Sequence, residues 1–148
     1  MKERIAAYRI EDIKEGQKFS FTKTIESTEI DSFAGLSGDI SPLHMDEAFA
    51  RARAFKGRVV HGALLAGYLS KMIGVDLPGE NCLLQRLDLK FLSPAYIGDV
   101  IEISAGVDQV SPAMNAVVLN VTIENTASRT TLVKGKIQVG FTNIRDNK

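Results

Sequence analysis

The residues best suited to chemistry are Asp39 and His44, which lie five positions apart in a loop shaped by Gly38 and Pro42. A carboxylate can accept a proton from water, and an imidazole can donate or accept one near neutral pH. The pair therefore suits the addition of water to a double bond, or its removal, because one proton leaves and another arrives. Groups positioned in this way each supply ~10²–10⁴-fold in rate.

Gly62 offers a second chemical element, because an apolar helical run begins there. The first backbone N–H groups of a helix have no intrahelical partner and lie at the positive end of its dipole. They could stabilise a carbonyl oxygen that gains negative charge. Glycine also lets a ligand approach the backbone without a side chain in the way.

Structural interpretations of the same polar residues stay open. Asp39 can be a loop residue that binds its own backbone, and His44 can be a solvated or core histidine. His61 is interpreted as structural, bonding backbone near the helix start, and Asp46 as a helix cap. No Cys/His cluster with metal-ligand spacing surrounds either histidine, so no metal site is predicted.

Four cations and one cysteine have similar alternatives. The run Arg51, Arg53, Lys56 and Arg58 either meets the phosphates of a coenzyme or forms a solvated helix face. The lone thiol of Cys82 is interpreted as a small hydrophobic residue rather than a nucleophile.

Length and composition predict one globular domain over residues 1–148. Hydrophobic residues make up 45% and charged residues 24% of the 148 positions, and the formal net charge is zero. This balance is ordinary for a globular protein with a core, and no basic stripe indicates nucleic acid. No apolar run is long enough for a signal peptide core or a membrane span, so we expect a cytoplasmic protein without membrane contact.

The first half of the chain shows mainly helical spacing. A strand is expected near residues 16–25, where Phe19 and Phe21 alternate with polar residues. Three helices are expected after it: one from Ser27 or Thr28 to Gly38, a short one over 47–54 and a long one over 62–75.

The long helix is apolar almost all round, which predicts that it is buried. Small residues recur along it at spacings of three and four, at Ala63, Ala66, Gly67 and Ser70. Such a stripe lets a helix press closely against a neighbouring surface. Together with exposed sheet edges, this predicts a homodimer.

The second half is predicted to be extended. Alternating patterns mark four consecutive strands, and the turns between them carry Ser-Pro pairs or polar runs. One strand, several helices and then four strands make an α+β domain, with a sheet curled around the long helix. The expected strands cover residues 83–91, 100–110, 116–125 and 131–142.

Three segments give the chain a family resemblance. They are Ser-Gly-Asp-Ile-Ser-Pro-Leu-His-Met-Asp at 37–46, Val-Val-His-Gly-Ala-Leu-Leu-Ala at 59–66, and Leu-Asp-Leu-Lys-Phe-Leu-Ser-Pro-Ala-Tyr-Ile-Gly-Asp at 87–99. Together they closely resemble the MaoC-like family, which includes the (R)-specific enoyl-CoA hydratases. The resemblance implies a hot-dog fold, a curved antiparallel sheet around a long buried helix, working as a homodimer or a dimer of dimers.

The resemblance also implies roles for particular residues. Asp39 and His44 would activate water for syn addition to a trans-2-enoyl thioester, giving a (3R)-hydroxyacyl product, and the Gly62 N–H would be the oxyanion donor. Substrate-binding positions would be Ser41, Ala63 and Ser70. No cofactor is implied beyond the coenzyme A, or the carrier-protein phosphopantetheine, of the substrate. Ser41 departs from the family pattern, in which Asn is usual at this position.

Other functions on this fold differ in chemistry. A 3-hydroxyacyl-carrier-protein dehydratase would need a basic rim for an acidic carrier, and residues 51–58 are where to look for it. A thioesterase must attack the carbonyl carbon, and hot-dog thioesterases generally lack the Asp-x-x-x-x-His loop. A non-catalytic acyl-binding subunit would have no need of both Asp39 and His44.

Overall fold

Five antiparallel strands form one curved sheet in the computed structural model, which describes residues 4–142. They are β1 (Lys18–Thr24), β2 (Cys82–Phe91), β3 (Val100–Ser111), β4 (Ala116–Asn125) and β5 (Thr131–Phe141). The order across the sheet is β1-β3-β4-β5-β2, so β1 and β2 are its edges. Each predicted strand is present, which confirms the α+β prediction.

The alternation of the central strands separates a core face from a polar face. Ile103 of β3 lies opposite Ile123 of β4, and both are fully buried. The next pair, Ser104 and Thr122, points to the outer face. Each buried aliphatic side chain of this kind contributes ~1.5–3 kcal/mol to folding. The sheet therefore presents one apolar face to the helix.

The helices differ from the predictions mainly at their ends. They are α1 (Ser27–Ser37), α2 (Pro42–Met45), α3 (Glu47–Arg51) and α4 (Gly62–Lys71), and α4 continues into one π-helical turn, Met72–Asp76. Gly38 ends α1 with φ of 80°, and the Asp46 carboxylate accepts the Phe49 N–H at 3.0 Å, as predicted. Glu26, rather than Ser27 or Thr28, is the N-cap of α1.

Helix α4 buries only one side within its own chain. Leu65, Tyr68 and Leu69 pack in the core against the inner face of the sheet. The opposite side, with Ala63, Gly67 and Ser70, is exposed. The prediction of a helix buried against the sheet is confirmed for this side, and the small-residue stripe lies on the side that the sheet does not cover.

Strand β2 is an edge with an unusual surface. Leu87 and Phe91 pair with the buried Ile137 and Val133, so they point to the core side of the sheet. Yet they are 42% and 54% exposed, because they lie at the edge of the sheet, where α4 does not cover Leu87 and only its first residue meets Phe91. Among residues 4–142, no helix is long and apolar enough to cross a membrane.

Candidate active site

A tight loop between α1 and α2 places the Asp39 carboxylate. The Ser37 hydroxyl donates to the Phe33 carbonyl at 2.7 Å and accepts the Asp39 N–H at 3.1 Å. Asp39 Oδ1 then accepts the Ser41 N–H at 3.2 Å. The backbone-binding interpretation of Asp39 is therefore right for one oxygen, while Oδ2 faces His44 at 3.8 Å from its Nε2.

The His44 ring is oriented by the chain before α4. Its Nδ1 lies 2.7 Å from the Val59 carbonyl, which can only accept, so Nδ1 carries a proton. In the neutral ring, Nε2 then has a free lone pair, and this is the atom that faces Asp39. The imidazole is 15% exposed and the Asp39 side chain 48%. The pair thus has one partly buried and one solvent-facing member.

His61 lies directly beneath this pair. Its ring stacks on His44, with centroids 3.9 Å apart and an interplanar angle of 26°. Its Nε2 is 2.9 Å from the Asp39 carbonyl oxygen. The predicted backbone bond exists, but its partner lies in the loop between α1 and α2 rather than near the helix start.

Helix α4 opens towards a cavity of about 280 Å³ that His44 also lines. The first N–H groups with a backbone partner in this helix are those of Leu64 and Leu65, which both donate to the His61 carbonyl. Within residues 4–142, the N–H groups of Gly62 and Ala63 have no acceptor. A donor at a helix start can therefore face a group held in this cavity. The other walls are apolar, and the lining residues are His44, Val59, Val60, Gly62, Leu65 and 91–95.

Arg58 connects α2 to α1. Its Nε donates to the His44 carbonyl at 2.7 Å, and its Nη2 bonds Asp31 Oδ1 at 2.5 Å. The guanidinium is only 16% exposed. The solvated-face interpretation is therefore wrong for Arg58, and contact with coenzyme phosphates stays a prediction. The contacts span 14 and 27 residues, which no local spacing predicts.

Comparison with known proteins identifies the family. The model of the MaoC-like domain matches residues 10–138. The chain belongs to this family. An (R)-specific enoyl-CoA hydratase of Rhodospirillum rubrum is 41% identical over 112 residues, 76% of this chain and 78% of that protein. One from Aeromonas caviae is 39% identical over 98 residues, 66% of this chain and 72% of that protein.

The fold agrees with a solved structure from the same family. The (R)-hydratase of A. caviae involved in PHA biosynthesis superimposes with a TM-score of 0.83 at 32% identity. The match covers 87% of this chain and 97% of that one. The hot-dog fold predicted from the motifs is confirmed.

Three further predicted positions of this MaoC-like chain lie apart from the cavity lining. Ser41 touches Asp39 through its backbone N–H, and within the described residues its hydroxyl has no hydrogen-bond partner. Ala63 and Ser70 are exposed on α4. No other described part of the chain covers these two side chains.

The remaining cations of the basic run have local partners. Arg51 pairs with Glu47, which lowers the pKa of that carboxyl through the hydrogen bond. Arg53 lies over the Phe49 ring, and Lys56 lies 5.9 Å from the ring centre of Tyr96. Burial raises the pKa of the Cys82 thiol, which agrees with its interpretation as a small hydrophobic residue.

Asp39, His44 and His61 bring potential ligand atoms within 4.8 Å of one another. A zinc ion needs lone pairs that converge on one point ~2 Å from each nitrogen. The two imidazoles are stacked, so their in-plane lone pairs run side by side. One nitrogen of each ring is also engaged with a backbone carbonyl. The cluster fits proton transfer better than metal binding.

Proposed function

We infer that this protein is an (R)-specific enoyl-CoA hydratase, which in reverse dehydrates 3-hydroxyacyl-CoA. The observation that carries this inference is the orientation of His44. Its Nδ1 bond to Val59 turns Nε2 towards Asp39 Oδ2, on the wall of a cavity that the start of α4 also faces. The activity of the named relatives agrees with it.

In the proposed reaction, Asp39 and His44 hold one water molecule between them. A separation of 3.8 Å is too long for a direct hydrogen bond and leaves both groups able to bond the same water. The pair takes a proton from the water as its hydroxyl attacks C3, and a proton is then delivered to C2. Because both groups approach from one side, addition is syn.

Gly62 is proposed to stabilise the thioester oxygen as it gains enolate charge. Its N–H has no acceptor in the described chain and lies at the positive end of α4. Such a preorganised donor is worth more in a cavity with apolar walls than in water. Ser41, Ala63 and Ser70 are proposed to contact the rest of the substrate.

Coenzyme A is proposed as the carrier of the acyl group. The relatives named above are enoyl-CoA hydratases, and two of the four cations in a possible carrier-binding rim, Arg51 and Arg58, are already paired with Glu47 and Asp31. We propose no cofactor other than the coenzyme A of the substrate. A cytoplasmic location belongs to the same proposal, since the chain has a single free thiol and no internal disulfide.

A homodimer is proposed through β2 and the exposed side of α4. The edge strand presents core-facing side chains that the chain itself does not cover, namely Leu84, Leu87 and Phe91. A second copy paired along β2 would bury them and complete the backbone hydrogen bonds of the edge. The small residues of α4 would then allow close packing. Two such dimers could associate further.

The decisive test incubates the purified protein with crotonyl-CoA, follows loss of the enoyl absorbance, and determines the configuration of the product. We expect (3R)-hydroxybutyryl-CoA. Formation of the (3S) alcohol, or of free coenzyme A, would contradict the proposal.

A companion test replaces the acid–base pair. Asp39→Asn and His44→Ala should each lower kcat by ~10²–10⁴-fold while the protein stays folded. Asp108→Asn is the matched control, because this carboxylate pairs with Lys136 on the outer face of the sheet. Near-normal turnover in either site variant would move the acid–base role elsewhere.

A further inference from the structure

His61 is the one polar or charged residue among the buried side chains of residues 4–142, at 1% exposed. Its Nε2 has a partner, but its Nδ1 is buried without one. A buried nitrogen without a hydrogen bond costs free energy. A phenylalanine would fill the same space without that cost, so packing does not explain an imidazole here.

One ring contacts both members of the proposed catalytic pair. Because the Asp39 carbonyl only accepts, His61 Nε2 is the protonated nitrogen of this 2.9 Å bond. The face of the same ring lies 3.9 Å from His44, centre to centre. Phe33 contacts the ring at 4.8 Å between centroids and limits its rotation.

We propose that His61 is a positioning residue that fixes the Asp39 peptide and the plane of the His44 ring. The inference rests on the proposed hydratase function. The Nε2–H holds the loop that carries the carboxylate, and the ring face sets where His44 Nε2 points. The unpartnered Nδ1 follows from this arrangement, because a neutral imidazole that donates through Nε2 has an unprotonated Nδ1.

Two substitutions separate these contacts. His61→Phe keeps a ring against His44, loses the donor to Asp39 and removes the unpartnered nitrogen. His61→Gln keeps a donor close to the position of Nε2 and loses the ring. We expect His61→Phe to lower kcat by ~10–100-fold, the range for a displaced catalytic group, with KM within about twofold and Tm not lowered.

The expected order of kcat is wild type, then His61→Gln, then His61→Phe. If His61 had only a structural role, kcat would fall only in variants whose Tm also falls. His61→Phe, whose Tm is not expected to fall, would then keep its activity. A His61→Phe protein with kcat within twofold of wild type would therefore overturn the proposal. A His61→Gln protein no more active than His61→Phe would overturn the role assigned to the Nε2–H, because the variant that keeps a donor would then gain nothing from it.

Tyr68→Phe is the matched control. Tyr68 Oη is the other buried polar side-chain atom that makes no well-formed hydrogen bond in the described chain, although the Glu29 carboxylate is near it, and it lies on α4 outside the cavity lining. This substitution also keeps the ring and removes that atom. We expect unchanged kcat, and a loss equal to that of His61→Phe would attribute the effect to buried polar atoms in general and overturn the proposal.

An NMR measurement separates this inference from the hydratase proposal. The amide of Ile40 belongs to the same peptide group as the Asp39 carbonyl, so its ¹⁵N shift reports the bond from His61. We expect this shift to move in His61→Phe and to return towards wild type in His61→Gln. If the wild-type protein does not hydrate crotonyl-CoA, the hydratase proposal fails, and the Ile40 shift decides the positioning role. No change in either variant would overturn it.

Discussion

The Phe91 ring lies against the start of α4, with its Cε1 3.1 Å from where a Cβ on Gly62 would stand. Phe91 and Gly62 line the same cavity. The ring therefore closes over the backbone that is proposed to receive the thioester oxygen. Any side chain on residue 62 would enter the narrow space between them.

Gly62→Ala should consequently reduce kcat/KM more than stability. The added methyl group pushes on a flexible, half-exposed Phe91 side chain, and alanine is the better helix former, so folding changes by less than ~1 kcal/mol. The substrate loses its close approach to the N–H, which we expect to lower kcat/KM about tenfold, or ~1.4 kcal/mol. Steady-state kinetics and thermal unfolding measure the two effects.

Gly35→Ala is the control for this substitution. Gly35 lies in α1, and a Cβ there meets nothing within 4 Å. It should raise the free energy of unfolding by ~0.5–1 kcal/mol and leave kcat/KM unchanged. If Gly62→Ala and Gly35→Ala lowered kcat/KM equally, the proposed role of Gly62 as oxyanion donor would be contradicted.

Arg58→Lys should lower both activity and stability, because lysine is not equivalent to arginine at a site with two directed bonds. The lysine ammonium cannot reproduce the separate bonds to the His44 carbonyl and to Asp31. We expect kcat to fall about tenfold and the free energy of unfolding to fall by ~1–3 kcal/mol, as for a broken hydrogen bond to a charged group. Kinetics and urea unfolding test both.

Arg51→Lys is the appropriate comparison. Arg51 is 65% exposed, and its one ion pair within residues 4–142 is with Glu47 on its own helix. An exposed pair of this type contributes ~0–1 kcal/mol, so little change is expected. A similar loss at both positions would show that Arg58 does not act through His44.

Local patterns predicted the secondary structure because the cause of each element was itself local. Alternation along β3 and β4 follows from one buried and one polar face, and Gly38 supplies a left-handed helix end. The four-residue helix α2 was missed, since it is too short to show a period. The π-helical turn Met72–Asp76 was predicted as ordinary α-helix, since one turn is too short to show a different hydrophobic period.

The site was predictable in its residue types and less so in its contacts. Asp39 and His44 meet because the loop between them is short. The bonds from Arg58 to Asp31 and from His61 to Asp39 join residues far apart in sequence, so they depend on the packed fold. The apolar sequence of α4 predicted burial on all its sides. It could not indicate whether each side is covered by the same chain or by a second molecule.

Ser41→Asn restores the residue usual in the family, and we expect little effect. The contact with Asp39 comes from the backbone N–H of Ser41, which the substitution keeps. The side chain is exposed and has no hydrogen-bond partner in the described structure. We therefore expect kcat within about threefold of wild type. A change of more than threefold in either direction would show that the proposed contact with the substrate depends on the Ser41 side chain and not on the backbone of the loop alone.

Leu87→Lys should dissociate the proposed dimer. Leu87 lies on the core side of the edge strand β2 and is 42% exposed in the single chain. An ammonium there would have to be buried unpaired between two copies, at a cost of several kcal/mol. Light scattering after size-exclusion chromatography should give twice the chain mass for wild type and the chain mass for the variant. Leu36→Lys, at a position 87% exposed on α1, should remain dimeric. A monomeric wild-type protein, or a dimeric Leu87→Lys protein, would exclude β2 as the interface.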